Sequence, residues 1–315
     1  MGNCCNQDNK DNAFSVGGQS KELREQGNTS AQPTANPHIP KDPAIVRVTT
    51  MNPVNDEVKK VDAKLKDFEY NRNVDSEFEG LPVLGPYKYE NGATYLGQYK
   101  EGKRHGRGRL VWSDGSVYVG YWKDDQSNIR GRLIHSEGDW YEGDWVNDKA
   151  EGKGIYTHAD GSVYQGDWAN DLQNGQGVER WPDQSVYEGG YKDSYKHGKG
   201  RFTWSDGSQY TGDFQENDIH GQGVYKWADG REYVGSWKKN KMEGRGKFSW
   251  PDGRTYEGDY VDDKKHGLGT FRWKDGKSYV GEWVNGKQEG EGQLTEGGIT
   301  KRGIWKDGER IKWIE

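Results

Sequence analysis

The chain has 315 residues, a formal net charge of −6 and 30% hydrophobic residues; without a basic excess it lacks the electrostatic footprint of a nucleic-acid binder. Two cysteines cannot build a disulfide framework, so a reducing compartment is the simplest setting. A mean hydropathy of −1.20 leans towards disorder, but 14 Trp, 19 Tyr and 47 Gly argue for an ordered protein whose core is made of rings and glycine.

Residues 1–50 are polar, with scattered Asn, Gln, Ser and Pro, and read as a disordered leader. It opens MGNCCNQDNK, with both cysteines of the chain, Cys4 and Cys5, side by side behind Gly2. Gly2, N-terminal once Met1 is removed, followed by cysteines is the arrangement of dually acylated proteins: myristate on Gly2, palmitate on Cys4 and Cys5. One acyl chain holds a membrane marginally; a second makes the anchor stable. Asn6 stands where Ser or Thr is usual, so palmitoylation alone is a second reading and two inert thiols a third. The first 80 residues contain no apolar stretch long enough for a signal peptide or a membrane span, so attachment would come from lipid or a partner.

Further on, PHIPKDP places Pro37, Pro40 and Pro43 three apart, a spacing that suits polyproline II, as a stiff linker or a docking site. Residues 51–84 are expected to hold one short amphipathic helix and a linker. Val54, Val58, Val61, Leu65 and Phe68 follow 4-3-4-3 spacing, one apolar stripe folded against the first hairpins or offered to a partner.

From Tyr95 a period of 23 residues runs through Tyr118, Tyr141, Tyr164, Tyr187, Tyr210, Tyr233, Tyr256 and Tyr279. Glycine follows two residues after each tyrosine, and an aromatic two residues after that: Tyr99, Trp122, Trp145, Trp168, Tyr191, Phe214, Trp237, Tyr260 and Trp283. Each repeat reads as one hairpin. In YEGDYVDDKKHGLGTFRWKDGKS (256–278), Tyr256, Gly258 and Tyr260 alternate with polar residues, DDKKHG reads as a polar loop, and Gly269, Phe271 and Trp273 alternate again. The KDG turn then carries the Asp-Gly pair that favours positive φ. Glycine on the inward face leaves room for rings to lie against the backbone, and one hairpin cannot bury that face alone.

The array is expected to span 85–315 with terminal caps. Gly85, Tyr87, Tyr89 and Gly92 match the second half of a repeat, and RGIWKDGERIKWIE reads as a final strand or cap. Two positions break the pattern: Ile129 replaces the loop glycine and Gln184 the turn glycine. The expected fold is all-β, an elongated single-layer antiparallel β-hairpin solenoid of about nine 23-residue repeats. At about 4.8 Å per strand it would form a twisted rod on the order of 85 Å long.

The pattern Tyr-x-Gly-x-Trp, then Gly-x-Gly, then Asp-Gly over 23 residues resembles the MORN (membrane occupation and recognition nexus) repeat family, over about residues 85–310. The resemblance implies a β-hairpin solenoid and, in function, a scaffold. Members tether membranes to one another or to cytoskeleton, serve in radial-spoke heads and cell-division rings, bind peptides in an aromatic groove, or accompany a catalytic domain such as a lipid kinase.

The residues themselves offer no catalytic domain: no GxxxxGK[ST], kinase signature or HExxH is present. His105, His197, His220 and His266 share one repeat position, and His135 and His158 another. Adjacent hairpins place such pairs about 9–10 Å apart, too far to share a zinc ion that needs ligands at about 2 Å. No catalytic residue, metal or cofactor is therefore expected. Candidate anionic-lipid contacts are Lys103, Arg104 and Arg107 in the first repeat's basic cluster, against the simpler reading of solvated loops. Trp122, Trp145, Trp168, Tyr191, Phe214 and Trp237 form the candidate partner-binding ladder if the array leaves them open in a groove, and are core if it buries them.

The leading expectation is a non-enzymatic scaffold, lipid-anchored on the cytoplasmic side of a membrane. Its expected partner is a cytoskeletal or membrane protein, with a helical segment as one candidate, and its sheet edges could pair two copies. A structural part of cilium or cytoskeleton without a membrane anchor is the alternative, and an accessory subunit of a lipid kinase or other enzyme is the third reading.

Overall fold

A computed structural model of the chain describes residues 46–314. Gly2, Cys4, Cys5 and the prolines at 37, 40 and 43 lie outside the described residues. Among the described residues there are 22 strands, two short helices and one 3₁₀ turn, and the strands pair antiparallel, mostly with chain neighbours. The described residues divide into two compact units: 46–184 with Tyr191–Ser194, and Ser185–Gly190 with 195–314.

The hairpin of the eighth repeat shows how the sequence builds each unit. Its strands are Thr255–Val261 and Lys264–Arg272, with Tyr256 opposite Phe271 and Gly258 opposite Gly269. The segment DDKKHG is not a loop. Asp262 and Asp263 make the whole turn, both at positive φ (47° and 64°), and Lys264 already belongs to the next strand. This is the two-residue primed turn that matches strand twist; aspartate and asparagine tolerate it without glycine. A bulge follows, between the pairs Gly258–Gly269 and Asp259–His266. In other repeats the freed bulge N–H is taken by the aspartate three residues after the repeat tyrosine: Lys153 N–H donates to Asp144 (3.0 Å), Gln176 to Asp167 (2.7 Å) and Gln222 to Asp213 (2.9 Å). Trp273 then opens a three-residue turn, where Gly276 N–H donates to the Trp273 carbonyl at 3.1 Å and φ is +87° at Gly276.

Repeats are stitched by the second residue of each primed turn. Asp263 N–H donates to the Met242 carbonyl (3.1 Å), and Met242 N–H donates back to the Asp263 carboxylate (2.8 Å). Asp148 does the same with Ser127, and Asn240 with Ile219. Burial of the half-buried Asp263 pushes its carboxyl from 3.8 up to about 6. The folded state therefore binds its proton more readily than the unfolded chain, so the stability that the neutral acid contributes is present below pH 3.8 and lost as pH rises through about 6. Asparagine accepts the same bond uncharged, as Asn240 does. Asp263→Asn is expected to raise the melting temperature at pH 8, with the gain fading towards pH 4. Melts across that range check this, and an equal gain at both ends would contradict it.

The inner face carries a zigzag of edge-to-face rings. In the first unit Tyr118 meets Trp122 (5.0 Å) and Trp145 (5.4 Å), Tyr141 meets Trp145 (5.2 Å) and Trp168 (5.1 Å), and Tyr164 meets Trp168 (5.3 Å) and Tyr191 (5.0 Å). The second unit repeats it from Tyr187–Phe214 to Tyr279–Trp305. Such pairs add about 0.5–1.5 kcal/mol each beyond area burial. Each tyrosine ring lies on a glycine of the adjacent strand, and its hydroxyl donates to the carbonyl three residues on, as Tyr141 does to Asp144 at 2.9 Å. Indole N–H groups reach back to the preceding repeat, Trp145 donating to the Gly131 carbonyl at 3.1 Å.

The outer face of the first repeats is covered by the chain ahead of them. Helix α1 (Asp56–Asp62) is capped by Asn55, whose side chain accepts from Val58 N–H. Val58 is buried with Val111, Val117 and Ile134, and Val54, Val61, Leu65 and Trp140 pack around them. The apolar stripe outlasts its helix: Phe68 lies beyond α1 and meets Tyr70 edge-on at 5.0 Å. Further along, Tyr121 receives Tyr70 (5.1 Å) and donates to Asp75 (2.7 Å). Arg132 donates to the Lys66 carbonyl at 2.8 Å, which ties down the stretch between them. Ahead of the strap, β1 (Val46–Arg47) pairs with β2 (Val83–Lys88), which pairs with β3 (Thr94–Lys100) and covers the first full hairpin.

Ile129 sits at the bulge position where other repeats have glycine and is held at φ 63°. A β-branched residue there is a true outlier, and the left-handed region costs it about 1–2 kcal/mol. Ile129→Gly is expected to raise stability by about 1 kcal/mol in urea denaturation, net of glycine's greater unfolded-chain entropy. A loss would show that the isoleucine side chain contributes more than its backbone costs.

Candidate functional site

The candidate contact ladder is core. Trp122, Trp145, Trp168, Tyr191, Phe214 and Trp237 are between 0% and 5% exposed, each packed on the tyrosines of its own and the preceding repeat. No open ring face remains on them for a partner.

The basic cluster of the first repeat is split between two faces. Arg104 is 1% exposed, its guanidinium lies 4.2 Å from the Trp122 ring centre, and its Nε donates to Asp125 at 3.3 Å. A buried arginine cannot reach a lipid headgroup, so its candidacy as a lipid contact is withdrawn. Arg107 points to the opposite face, where it pairs with Asp75 and lies over Tyr70 at 5.1 Å. Lys103 is exposed. Alternation along the strand separates Arg104 from Arg107, so the three do not form one patch.

Among the described residues no group of three or more His, Cys, Asp or Glu could hold a metal ion, and no helix is long and apolar enough to cross a membrane. His158 lies 3.5 Å from Asp139, which also accepts from Tyr156 (2.8 Å). The His158 hydrogen bond is the main reason the Asp139 carboxyl is held down at about 2. Burial depresses the His135 imidazole.

A second row of rings holds the less buried aromatic surface. In the unit containing Tyr195–Glu315, Phe202, Trp204, Tyr225, Trp227, Phe248, Trp250, Phe271 and Trp273 form a continuous tilted stack with centroids 4.4–5.6 Å apart. The phenylalanines and Tyr225 are buried; Trp227, Trp250 and Trp273 are half-buried. Each has a cation over it: Arg231 on Trp227 (5.2 Å), Arg254 on Trp250 (5.3 Å) and Lys277 on Trp273 (5.4 Å). Arg231 and Arg254 are held by Asp229 and Asp252, both at 2.7 Å. The signal is visible as Trp-x-Asp-Gly-Arg/Lys in the sixth, seventh and eighth repeats. The three-residue turn folds that cation back onto its tryptophan.

The profile of the MORN repeat family matches residues 95–117, 141–163, 164–186, 187–209, 210–230, 233–253, 256–278 and 279–295, over half of the chain. The chain belongs to the MORN repeat family. Such a family marks the chain as a protein-binding repeat scaffold. The stretch 118–140 of this MORN array falls outside the matched segments. It is the repeat with Tyr121 in place of the bulge-capping aspartate, with Ile129, and with His135 where six repeats of the array have tryptophan in the second ring row. No curated protein matches the chain.

Among solved structures, the TCP10 domain of Danio rerio CPAP is similar at 13% identity and a TM-score of 0.37, over 66% of this chain and 99% of that one. The Drosophila melanogaster SAS-4 TCP domain, in complex with a proline-rich motif of Ana2, is similar at 13% identity and a TM-score of 0.32, over 50% of this chain and 85% of that one. At such scores these likenesses say nothing about what the MORN array does.

Proposed function

We propose that this MORN protein is a non-enzymatic scaffold, anchored to the cytoplasmic side of a membrane through acyl groups on Gly2, Cys4 and Cys5. Its array is presented to a protein partner at a membrane–cytoskeleton junction. The observation that carries the scaffold reading is the packing: the repeat tyrosines, the rings after them and the paired glycines are consumed in a self-complementary core. Recognition then falls to the outer surface and to the half-buried tryptophans.

The anchor rests on the sequence MGNCC, where the only two thiols of the chain adjoin an N-terminal glycine. Two acyl chains give the stable attachment that one does not. Intact-mass analysis of the N-terminal peptide from protein made in eukaryotic cells tests it. Myristate on Gly2, or hydroxylamine-labile palmitate on Cys4 or Cys5, is the expected result. An unmodified peptide overturns the anchor and leaves the scaffold to the cytoskeletal reading.

A further inference from the structure

The bulge of a hairpin in this array is a place for one acceptor oxygen. A glycine in the left-handed region leaves the next backbone N–H outside the ladder, and an anion is its natural acceptor. In seven of the eight repeats that carry glycine there, a Cβ on that glycine would meet the side chain of the residue three places after the repeat tyrosine. That residue is a carboxylate in five of the seven, with an oxygen 2.7–2.9 Å from the Cβ position, and Gln98 or Ser236 in the other two. Lys153, Gln176 and Gln222 donate the bulge N–H to Asp144, Asp167 and Asp213, and Arg107 donates it to Gln98 Oε1 at 2.8 Å.

The fifth repeat breaks this rule. Gly190 stands at the position of the aspartate, so no side chain there can receive the Lys199 N–H. Gly198 keeps the bulge conformation, with φ +75°, and a Cβ on it would meet nothing within 4 Å. Gly198 and Lys199 are both exposed. The repeat is barred from supplying its own carboxylate, because a Cβ at Gly190 would run into the His197 carbonyl oxygen. Charge is lost together with the oxygen. In the third repeat Lys153 serves two carboxylates, its N–H donating to Asp144 and its ammonium pairing with Asp167. In the fifth, Lys199 keeps the second partner, Asp213 at 2.7 Å, and has no counterpart of the first. Relative to its neighbours, this repeat lacks one acceptor oxygen and one negative charge at the same point.

We propose that the bulge at Gly198 and Lys199 is a binding site for a carboxylate of a partner protein, an aspartate or glutamate side chain that takes the place Asp144, Asp167 and Asp213 take in their own repeats. The Lys199 N–H donates to one oxygen and the Lys199 ammonium supplies the charge, in a bond about twice as strong as a neutral one. The chemistry of the occupant follows from the neighbouring repeats, where the same backbone holds a carboxylate. A lone carboxylate on one N–H and one lysine binds at about 10 mM or weaker, so the site selects charge and register within a larger interface. This names a partner contact of the scaffold reading and rests on it. It does not rest on the membrane anchor.

The test follows backbone amides by nuclear magnetic resonance in the full chain at constant ionic strength. The probes are the tripeptide acetyl-Gly-Asp-Gly-amide, its Asn counterpart and inorganic phosphate. The Asp peptide is expected to give a saturable downfield shift of the Lys199 amide, while the amides of Lys153, Gln176 and Gln222, held by their own aspartates, stay in place. The Asn peptide is expected to bind about 5-fold more weakly, the worth of a surface charge pair. Asp144→Gly removes the aspartate of the third repeat and is expected to give the Lys153 amide the response of Lys199.

No saturable shift at Lys199 up to about 100 mM peptide, equal shifts at the three other bulges, or equal affinity for the Asn peptide would overturn the proposal. Phosphate that saturates the Lys199 amide at a tenth of the peptide concentration would also overturn it, by assigning the site to a phosphoryl group. The other bulges are internal controls, so the test stands even if Asp144→Gly fails to fold. Purified protein without membrane is used throughout, so a failed anchor leaves this result intact, and a failed carboxylate site leaves the scaffold with its other surfaces.

Discussion

Gly177→Ala is expected to cost about 3–5 kcal/mol, although its backbone conformation suits any residue. A methyl group there would lie 2.5–2.7 Å from three atoms of the Tyr164 ring, closer than any stable contact. The ring has nowhere to go. It is 1% exposed, set edge-on against Trp168 and Tyr191, and its hydroxyl donates to the Asp167 carbonyl at 2.9 Å. Overpacking costs about 1–3 kcal/mol when neighbours yield. Expelling the ring instead forfeits about 1.5–3 kcal/mol of burial plus two ring contacts. Gly198→Ala is the control. Gly198 has open space around its missing side chain but a φ of +75°, so its alanine meets only backbone strain of about 1–2 kcal/mol. Urea denaturation of the two variants separates the effects. If Gly177→Ala loses no more than Gly198→Ala, the ring-on-glycine account of the core is wrong.

Val58→Asp is expected to release the N-terminal strap and leave the array folded. Val58 is fully buried among Val111, Val117 and Ile134, with no cation in that cluster to pair a carboxylate. An unpaired buried charge costs several kcal/mol, more than a seven-residue helix can hold against. The strap's other ties, Arg107 and Tyr121 to Asp75 and Arg132 to the Lys66 carbonyl, lie further along the chain, and the bonds of Asn52 and Asn55 to the array hold only the segment ahead of α1. The ring zigzag lies on the opposite face and loses nothing. Tryptic cleavage at Lys59, Lys60 and Lys64 is expected to rise at least 100-fold, the factor that about 3 kcal/mol produces. Amide protection at Tyr233 and Tyr256 should not change. Loss of protection there as well would mean that the strap and the distant hairpins fold as one unit.

Much of the hairpin stack is legible in the sequence, because Tyr-x-Gly-x-aromatic fixes which residues share a face and the 23-residue period fixes their equivalence. Period does not say which equivalent rings are covered. Trp145, a candidate contact residue by sequence, is closed off by the tyrosines on either side of it, whereas Trp250, which the ladder did not include, stands at the turn and is half-buried. The turn itself is hard to read because Asp262-Asp263 lacks glycine, and a polar run without glycine looks like a longer loop. The strap is half legible. Val54, Val58, Val61 and Leu65 of its stripe pack together on the array, but the helix stops at Asp62 and Phe68 finds Tyr70 instead. Tyr121 carries the missed signal: a large ring where most repeats have a small or polar residue means that something covers it.

The central claim, a MORN array tethered by its N-terminus, is tested most directly by membrane fractionation of the wild type beside a Gly2→Ala, Cys4→Ser, Cys5→Ser variant, with acyl-label incorporation followed in the same samples. The account expects the wild type to pellet with label and the variant to stay in the supernatant unlabelled. Identical fractionation of the two with no label in either would contradict it, and would send the search for the partner to the cytoskeleton.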